Sequence, residues 1–435
     1  LNRERLEQGP SSTEAVLNIR LHGHLSAAFG LADGAAATRR CLEAAGCAVQ
    51  PCDLRLASHP AAPGDSQPNA GAGALPPAPA SARQPAQQPA RQPARGIQLD
   101  LVHTNPNVLA ATAGLLDPAT LTAPLRVGFW AWELEAFPEG WEQAFPLYDE
   151  IWCPSAHCAQ SLSQRSPIPV IALPHLPDWP RLDQLRQRRL QGQRQRQMQR
   201  RQSPAEPFQV LTLFDFWSTP ERKNPAGVIQ AFQAAFPLDE RGQQPPVELL
   251  IKTSSAEYFP QARAELEQLS GRDPRIRWLH QLLSREDLDQ LFCRADALVS
   301  LHRAEGFGLN LADAMAIGLP VVATAYSANL EFMPLGSAEL IPWRPGRLQH
   351  DCGDYRRGQL WAEPDLAAAA ASLRRLALDA PHRTALAERA ATAVRERLAA
   401  ERLVAIVRQR LGHLLLTPSR RELLEQQRHL TAAHG

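Results

Sequence analysis

Glu305 and Asp313 bracket a short glycine loop, Gly306-Phe307-Gly308, that runs on into Leu309 and Asn310. An apolar stretch ends at about Leu301, so a buried strand, a Gly-x-Gly loop and a helix starting near Leu309 are predicted in that order. Glycines let the backbone approach a ligand closely, and the free N–H groups of a first helical turn attract an anion. Phosphate needs N–H donors, whereas sugar hydroxyls need carboxylate acceptors. A loop that offers both suits a nucleotide sugar. Gly-x-Gly alone would mark only a tight turn; the acids on either side give it meaning.

Of the 46 Lys and Arg residues, only Lys223 and Lys252 are lysine. Where surface charge alone is needed, this chain writes arginine. A position that keeps lysine points to a need for a compact, rotatable ammonium, which can bridge two phosphates as a point charge. Lys223 follows Arg222 in Pro-Glu-Arg-Lys-Asn-Pro, and Lys252 closes the apolar run that begins at Val247.

Other polar groups fall where α/β sheets bind ligands, at strand ends. His103 and Asn105 end one predicted strand, Glu133 and Glu135 follow the next, and Gly30 opens the loop before the first helix. Any of them could orient an acceptor hydroxyl; ordinary loop polarity is the competing reading. His302 is expected to support the Glu305 loop, and Trp130, Trp132 and Trp141 to be core. Asp287 and Asp289 fall on a predicted helix, where residues two apart diverge, so no metal pair is expected. There is no Walker loop and no complete GxGxxG.

The elements that must position these groups are short, continuous apolar runs at 16–21, 97–102, 125–130, 168–173, 208–214, 247–251, 297–301 and 320–323. Helical patterns lie between them at 35–45, 155–163, 225–236, 260–269, 285–294 and 309–317. Runs of this kind read as strands covered on both faces, and their alternation with helices as parallel α/β sheets. The pattern occurs twice, which gives two facing Rossmann-like domains. We expect a first domain at 14–178, a second at 207–380 and C-terminal helices at 381–435. A Pro/Ala/Gln insert at 59–96 cannot bury a core, and the Gln/Arg stretch at 179–206 reads as a solvated interdomain linker.

Charge excludes more than it suggests. Lys and Arg (46) balance Asp and Glu (45), so nothing pulls the chain toward nucleic acid. The seven cysteines lack paired spacing, as for reduced thiols. No apolar run approaches the roughly 20 residues of a membrane span, and residues 1–5 carry no signal-like apolar core. A cytoplasmic chain is expected, with peripheral contact at the inner face of the membrane open to it.

Glu305-x7-Asp313, followed by Ala-Met-Ala-x-Gly-x-Pro-Val-Val-Ala-Thr, resembles the donor signature of GT-B retaining glycosyltransferases of family 4 (glycosyl transferases group 1), which read Glu-x7-Glu. Phe214-Asp-Phe-Trp-Ser-Thr-Pro-Glu-Arg222-Lys223-Asn-Pro and Leu249-Leu-Ile-Lys252-Thr resemble the segments that turn basic residues toward the donor diphosphate. Trp130-Ala-Trp-Glu-Leu-Glu-x-Phe-Pro and Asp149-Glu-Ile-Trp-Cys-Pro-Ser look like the N-terminal domain of one bacterial branch.

The resemblance implies GT-B architecture, with the last helices crossing back to the first domain. It implies sugar transfer from a nucleotide-sugar donor to a glycan or glycolipid acceptor, with retention and without a metal. No cofactor is implied, since the nucleotide sugar is a substrate; the setting would be cell-surface polysaccharide or glycolipid synthesis. Glu305 would grip donor sugar hydroxyls and Asp313 the ribose. Lys223, Lys252, Arg222 and the N–H groups of 306–310 would meet the diphosphate. Two departures stand out: Asp at 313, and Phe216-Trp217 where many relatives have Gly-Arg. They favour the alternative, a non-catalytic sugar- or nucleotide-binding protein on a degenerate GT-B fold. The intact Glu305 loop and the two lysines speak against it.

Overall fold

The computed structural model describes residues 17–25, 30–54, 96–111, 116, 118–199, 206–238, 246–271, 273–419 and 422–423. The 59–96 insert, Gly96 apart, and residues 200–205 of the Gln/Arg stretch lie outside them.

The first sheet is built from β1 (Asn18–Gly23), β2 (Ala48–Asp53), β3 (Ile97–His103), β4 (Leu125–Phe129), β5 (Glu150–Cys153) and β6 (Val170–Ala172). Its strands lie in the order β2-β1-β3-β4-β5-β6 and pair in parallel throughout. Helices α1 (Gly30–Ala44), α2 (Pro106–Ala111) and α3 (Ala156–Leu162) connect them. Ile19, Leu21, Leu99, Leu101 and Val127 are fully buried, as strands covered on both faces require.

After α4 (Trp179–Gln199) the plan repeats. Strands β7 (Phe208–Asp215), β8 (Val247–Ser254), β9 (Ile276–His280), β10 (Ala297–Ser300), β11 (Val321–Thr324) and β12 (Glu339–Ile341) form a second sheet, ordered β12-β11-β10-β7-β8-β9 and also parallel. Its helices are α5 (Pro220–Lys223), α6 (Pro225–Ala235), α7 (Pro260–Ser270), α8 (Arg285–Arg294) and α9 (Leu309–Ala316). An antiparallel ribbon of β13 (Trp343–Arg347) and β14 (Leu360–Pro364) follows, then α10 (Leu366–Leu378), α11 (Ala380–Arg397) and α12 (Ala400–Leu416). Each sheet reverses its winding once, between β1 and β3 and between β7 and β10. Such switch points are where open α/β sheets leave a crevice at their strand ends.

Strands β2, β5, β9 and β12 fall outside the apolar runs read from the sequence. Three of these, β2, β9 and β12, are edge strands, and β5 is a four-residue strand inside its sheet. β2 carries Pro51, which an edge tolerates because the missing N–H is not needed there.

The Gln/Arg stretch is not solvated throughout. Residues 179–199 form helix α4, with Leu182, Leu185 and Arg189 buried. Arg189 donates to the carbonyls of Phe292 (3.2 Å), Cys293 (3.2 Å) and Ala295 (2.5 Å), the unsatisfied end of α8, and to that of Gly318 (3.3 Å). A helix C-terminus leaves its last carbonyls unpaired, and a guanidinium meets several at once. At the other end of the chain, α12 returns to the first sheet. Arg408 Nε donates to the Ala45 carbonyl (3.0 Å) and Arg410 Nε to Glu150 on β5 (2.9 Å).

Candidate active site

A cavity of about 510 Å³ lies between the two sheets, at the ends of the strands beside both switch points. It brings together Gly30, His103, Asn105 and Glu133 from the first domain with Arg222, Lys223 and Glu305–Asn310 from the second. Lys252 and Asp313 are not on its wall. Lys252 is buried on β8 near Asp215. Asp313 pairs with Arg181 of α4 and with Arg285 of α8 (3.4 Å). Both residues nevertheless lie within electrostatic reach of Asp33 on α1 of the first domain. Neither touches the cavity wall as the other candidates do.

The Glu305 loop is set from both sides. Gly308 opens α9 at φ 95, a left-handed conformation that a side chain resists, and so aims the first N–H groups of α9 at the cavity. The Glu305 backbone N–H donates to Ser327 Oγ (2.8 Å), and Ser327 itself sits at φ 73. Asn224, at φ 55, accepts from the Gly227 N–H (3.0 Å) to cap α6 and donates to the Leu301 carbonyl (2.9 Å) at the end of β10. That one side chain fixes α5, and with it Lys223, against the strand that carries Glu305. Non-glycine residues held at positive φ are strained, and three of the four such residues among the described ones, Thr219, Asn224 and Ser327, surround this loop. His302 is fully buried behind it, bonded to the Tyr326 carbonyl (3.3 Å) and Asn329 Oδ1 (3.2 Å).

Lys223 and Glu305 form an ion pair, and Arg222 Nη1 lies 3.7 Å from the other Glu305 oxygen. Burial alone would raise the Glu305 carboxyl; Lys223, then Arg222 and His302, outweigh it and hold it at about 2. Glu305 is thus a carboxylate at any physiological pH. Burial lowers Lys223, and Glu305 partly restores it. Burial would lower Arg222 as well, but Glu133, Tyr355 and Glu305 raise it above the ordinary value.

The first domain reaches across to the same groups. Glu133 Oε1 lies 3.3 Å from Arg222 Nη2, and Tyr355 donates its hydroxyl to Glu133 Oε2 (2.7 Å). Ser155 Oγ donates to the Gly306 carbonyl (2.7 Å), and Tyr326 donates its hydroxyl to Glu135 Oε1 (2.9 Å). Asn107 and Asp354 also pair across the cleft. The two domains are clasped shut around the glycine loop.

In the wall of the cleft His103 and His175 lie against Phe129, with His103 stacked on it at 4.2 Å between centroids. Phe307 of the glycine loop meets the His175 ring edge-on at 5.0 Å. Both ring nitrogens of His103 and Nδ1 of His175 are buried without a hydrogen-bond partner among the described residues. Burial depresses both, His103 to about 3, so the imidazoles are neutral. Gly34 makes room for them: a Cβ there would lie 3.1 Å from His175 and 3.2 Å from His103.

His175 and Tyr355 were not among the sequence candidates. Each stands on a connecting segment with no apolar period and no motif around it. Trp132 and Trp141 are core as expected, at 2% and 3% exposure, yet they also line the cavity.

Residues 216–345, from the end of β7 to the ribbon, match the family described as Glycosyl transferases group 1. No curated protein matches the chain. Among solved structures, an alpha,alpha-trehalose 6-phosphate synthase from Burkholderia multivorans is 17% identical with a TM-score of 0.52, over 73% of this chain and 72% of its own. A UDP-forming synthase of the same kind from Burkholderia xenovorans, in complex with glucose-6-phosphate, is 14% identical (TM-score 0.51, 73% of each chain). A trehalose-6-phosphate structure from E. coli, bound with UDP-2-fluoro glucose, is 10% identical (TM-score 0.51, 74% of each chain). The fold is GT-B. With a group 1 segment forming most of its second domain, the chain is a glycosyltransferase.

Proposed function

We propose that this glycosyltransferase moves a sugar from a nucleoside-diphosphate sugar to a hydroxyl of a glycan or glycolipid, with retention and without a metal. The observation that carries the reading is the Arg222–Lys223–Glu305 group beneath the start of α9, inside a cleft closed by both domains. As the bond to the donor sugar breaks, negative charge gathers on the diphosphate. Lys223 and the N–H groups of 306–310 would take it up, with Arg222 supporting Glu305 from behind. Fixed donors aimed at developing charge act strongly in a closed site. Glu305, a firm carboxylate, would hold sugar hydroxyls. The acceptor would enter from the side of His103, Asn105 and Glu133, which line the first domain's wall of the cavity.

Among the described residues no helix is long and apolar enough to cross a membrane. We propose, separately, that a glycolipid acceptor would be met at the membrane surface from the cytoplasmic side.

The test is thermal stabilisation by UDP-, GDP-, ADP- and TDP-sugars and their free diphosphates, with Mg²⁺ or Mn²⁺ added or omitted. Product analysis by NMR would follow with the donor that binds. One nucleotide should give a saturable shift that added metal does not change, and the product should keep the donor's anomeric configuration. Glu305→Ala should cut turnover more than it weakens binding of the bare diphosphate. Saturable binding with no product from any acceptor would leave the binding-protein alternative, and inversion would remove the stereochemical part of the reading.

A further inference from the structure

Outside the cleft, Glu221, His350 and Cys352 each place a ligand atom within 4.8 Å of the others. Glu221 stands on α5, and His350 and Cys352 on the loop between β13 and β14. Among the described residues, no other trio of histidine, cysteine and carboxylate groups meets that condition. We propose that these three residues bind a zinc-type divalent ion, which staples α5 to the 348–359 loop.

The donor set chooses the class of metal. One sulfur, one nitrogen and one oxygen suit a borderline-soft ion, whereas Mg²⁺ and Ca²⁺ prefer oxygen ligands throughout. Thiolate and carboxylate together balance the charge of a divalent ion, and the imidazole binds neutral. Three protein ligands leave the fourth tetrahedral position to water. Zinc bonds of about 2.0–2.3 Å require ligand atoms roughly 3.3–3.7 Å apart. Closing the trio from 4.8 Å takes an adjustment of about 1 Å, within the reach of ordinary side-chain rotation.

The cluster is rigid on one side and adjustable on the other. Cys352 is held by a reciprocal backbone pair with Tyr355, at 2.9 and 3.0 Å, and is only 9% exposed. Glu221 and His350 are exposed and can swing onto an ion. A metal here would act through what its two anchors carry. α5 delivers Arg222 and Lys223 to the cavity, while the loop delivers Asp354 and Tyr355, which reach Asn107 and Glu133 across the cleft. Joining the two would fix the second domain's half of the clasp, leaving the sugar-transfer chemistry to the cleft.

The experiment strips the full chain with a chelator, then dialyses it against Zn²⁺ or Co²⁺ and measures metal content by mass spectrometry. We expect one zinc per chain and a rise in melting temperature on loading. The cobalt form should show a thiolate-to-metal charge-transfer band and the intense visible bands of tetrahedral coordination. Cys352→Ser should remove the charge-transfer band, and Glu221→Gln or His350→Ala should abolish stoichiometric loading and the thermal shift. Cys47→Ser, which removes a thiol in the first domain, should leave all three signals intact. Glu221 and His350 are exposed, so their variants should fold whatever happens at Cys352. Loading below one metal per chain, a cobalt spectrum without the thiolate band, or full loading in Glu221→Gln and His350→Ala would each overturn the proposal.

Discussion

Lys223 and Glu305 are 82 residues apart in sequence and meet as an ion pair at the floor of the interdomain cleft. The pair serves both residues: it keeps Glu305 ionised in a buried place, and it offsets part of what burial does to Lys223. Lys223→Ala removes the one lysine on the cavity wall and should weaken diphosphate binding by about 1.5–3 kcal/mol, the usual worth of a hydrogen bond to a charged group. Lys252→Ala should weaken it far less, because Lys252 does not reach the cavity. Calorimetric titration of both variants with the nucleoside diphosphate checks the contrast; equal losses would bring Lys252 back to the donor.

The two lysines also show where the sequence was legible. The Glu305 loop could be read because an apolar strand, two glycines and an amphipathic helix announce each other within some twenty residues. Lys223 could be read because its rarity and its neighbours agreed. Asp313 could not, since its orientation depends on the start of α9 and on the arginines of α4 and α8. Tyr355 depends on how far a ribbon loop projects, which no periodicity encodes. α4 misled for a physical reason: its composition is polar, but Arg189 is buried because it answers carbonyls of another helix, and a sequence does not display its acceptors. The missed strands are short or lie at sheet edges, where one-sided burial leaves little apolar signal.

His103 and His175 tie stability to pH. Both have folded-state pKa values depressed by burial, His103 to about 3, against about 6.5 in the unfolded chain. Below pH ~6.5 the unfolded chain therefore binds protons that the folded chain refuses, and stability falls as pH falls from about 6.5 toward 3. Each imidazole should contribute roughly 1.4 kcal/mol per pH unit within its window. Urea unfolding across pH 7 to 5 reads that slope. His103→Asn and His175→Asn should each flatten it, whatever they do to stability at pH 7, and an unchanged slope in both would mean the rings titrate normally.

Tyr355 is the hinge pin of the clasp, since its hydroxyl bonds Glu133 while its ring lies against Trp132 (5.1 Å) and beneath Arg222 (6.0 Å). Tyr355→Phe keeps the ring and deletes one hydrogen bond to a charged carboxylate, a loss of about 1.5–3 kcal/mol in the closed form. The open form makes no such bond, so the cleft should open more readily and turnover should fall more than donor affinity. Steady-state kinetics with the donor found by thermal shift, beside calorimetric binding of its diphosphate, separates the two. A fall in diphosphate affinity as large as the fall in turnover would mean that Tyr355 serves the donor site directly.

Arg189 supports the frame on which α8 and α9 stand. Its guanidinium faces carbonyls of Phe292, Cys293, Ala295 and Gly318, and its side chain is only 2% exposed. Arg189→Ala leaves those acceptors buried and unpaired, at about 1–3 kcal/mol for each that water cannot reach. It also leaves a cavity where the side chain stem packed. A loss of roughly 3–5 kcal/mol is expected, in the range for breaking a buried polar network. Lysine at the same place should recover only part of it, since one ammonium cannot span the positions that a planar fork meets. Denaturant unfolding of both variants measures this. A loss below about 1 kcal/mol for Arg189→Ala would show that water takes over the carbonyls and that α4 contributes little to holding the second sheet.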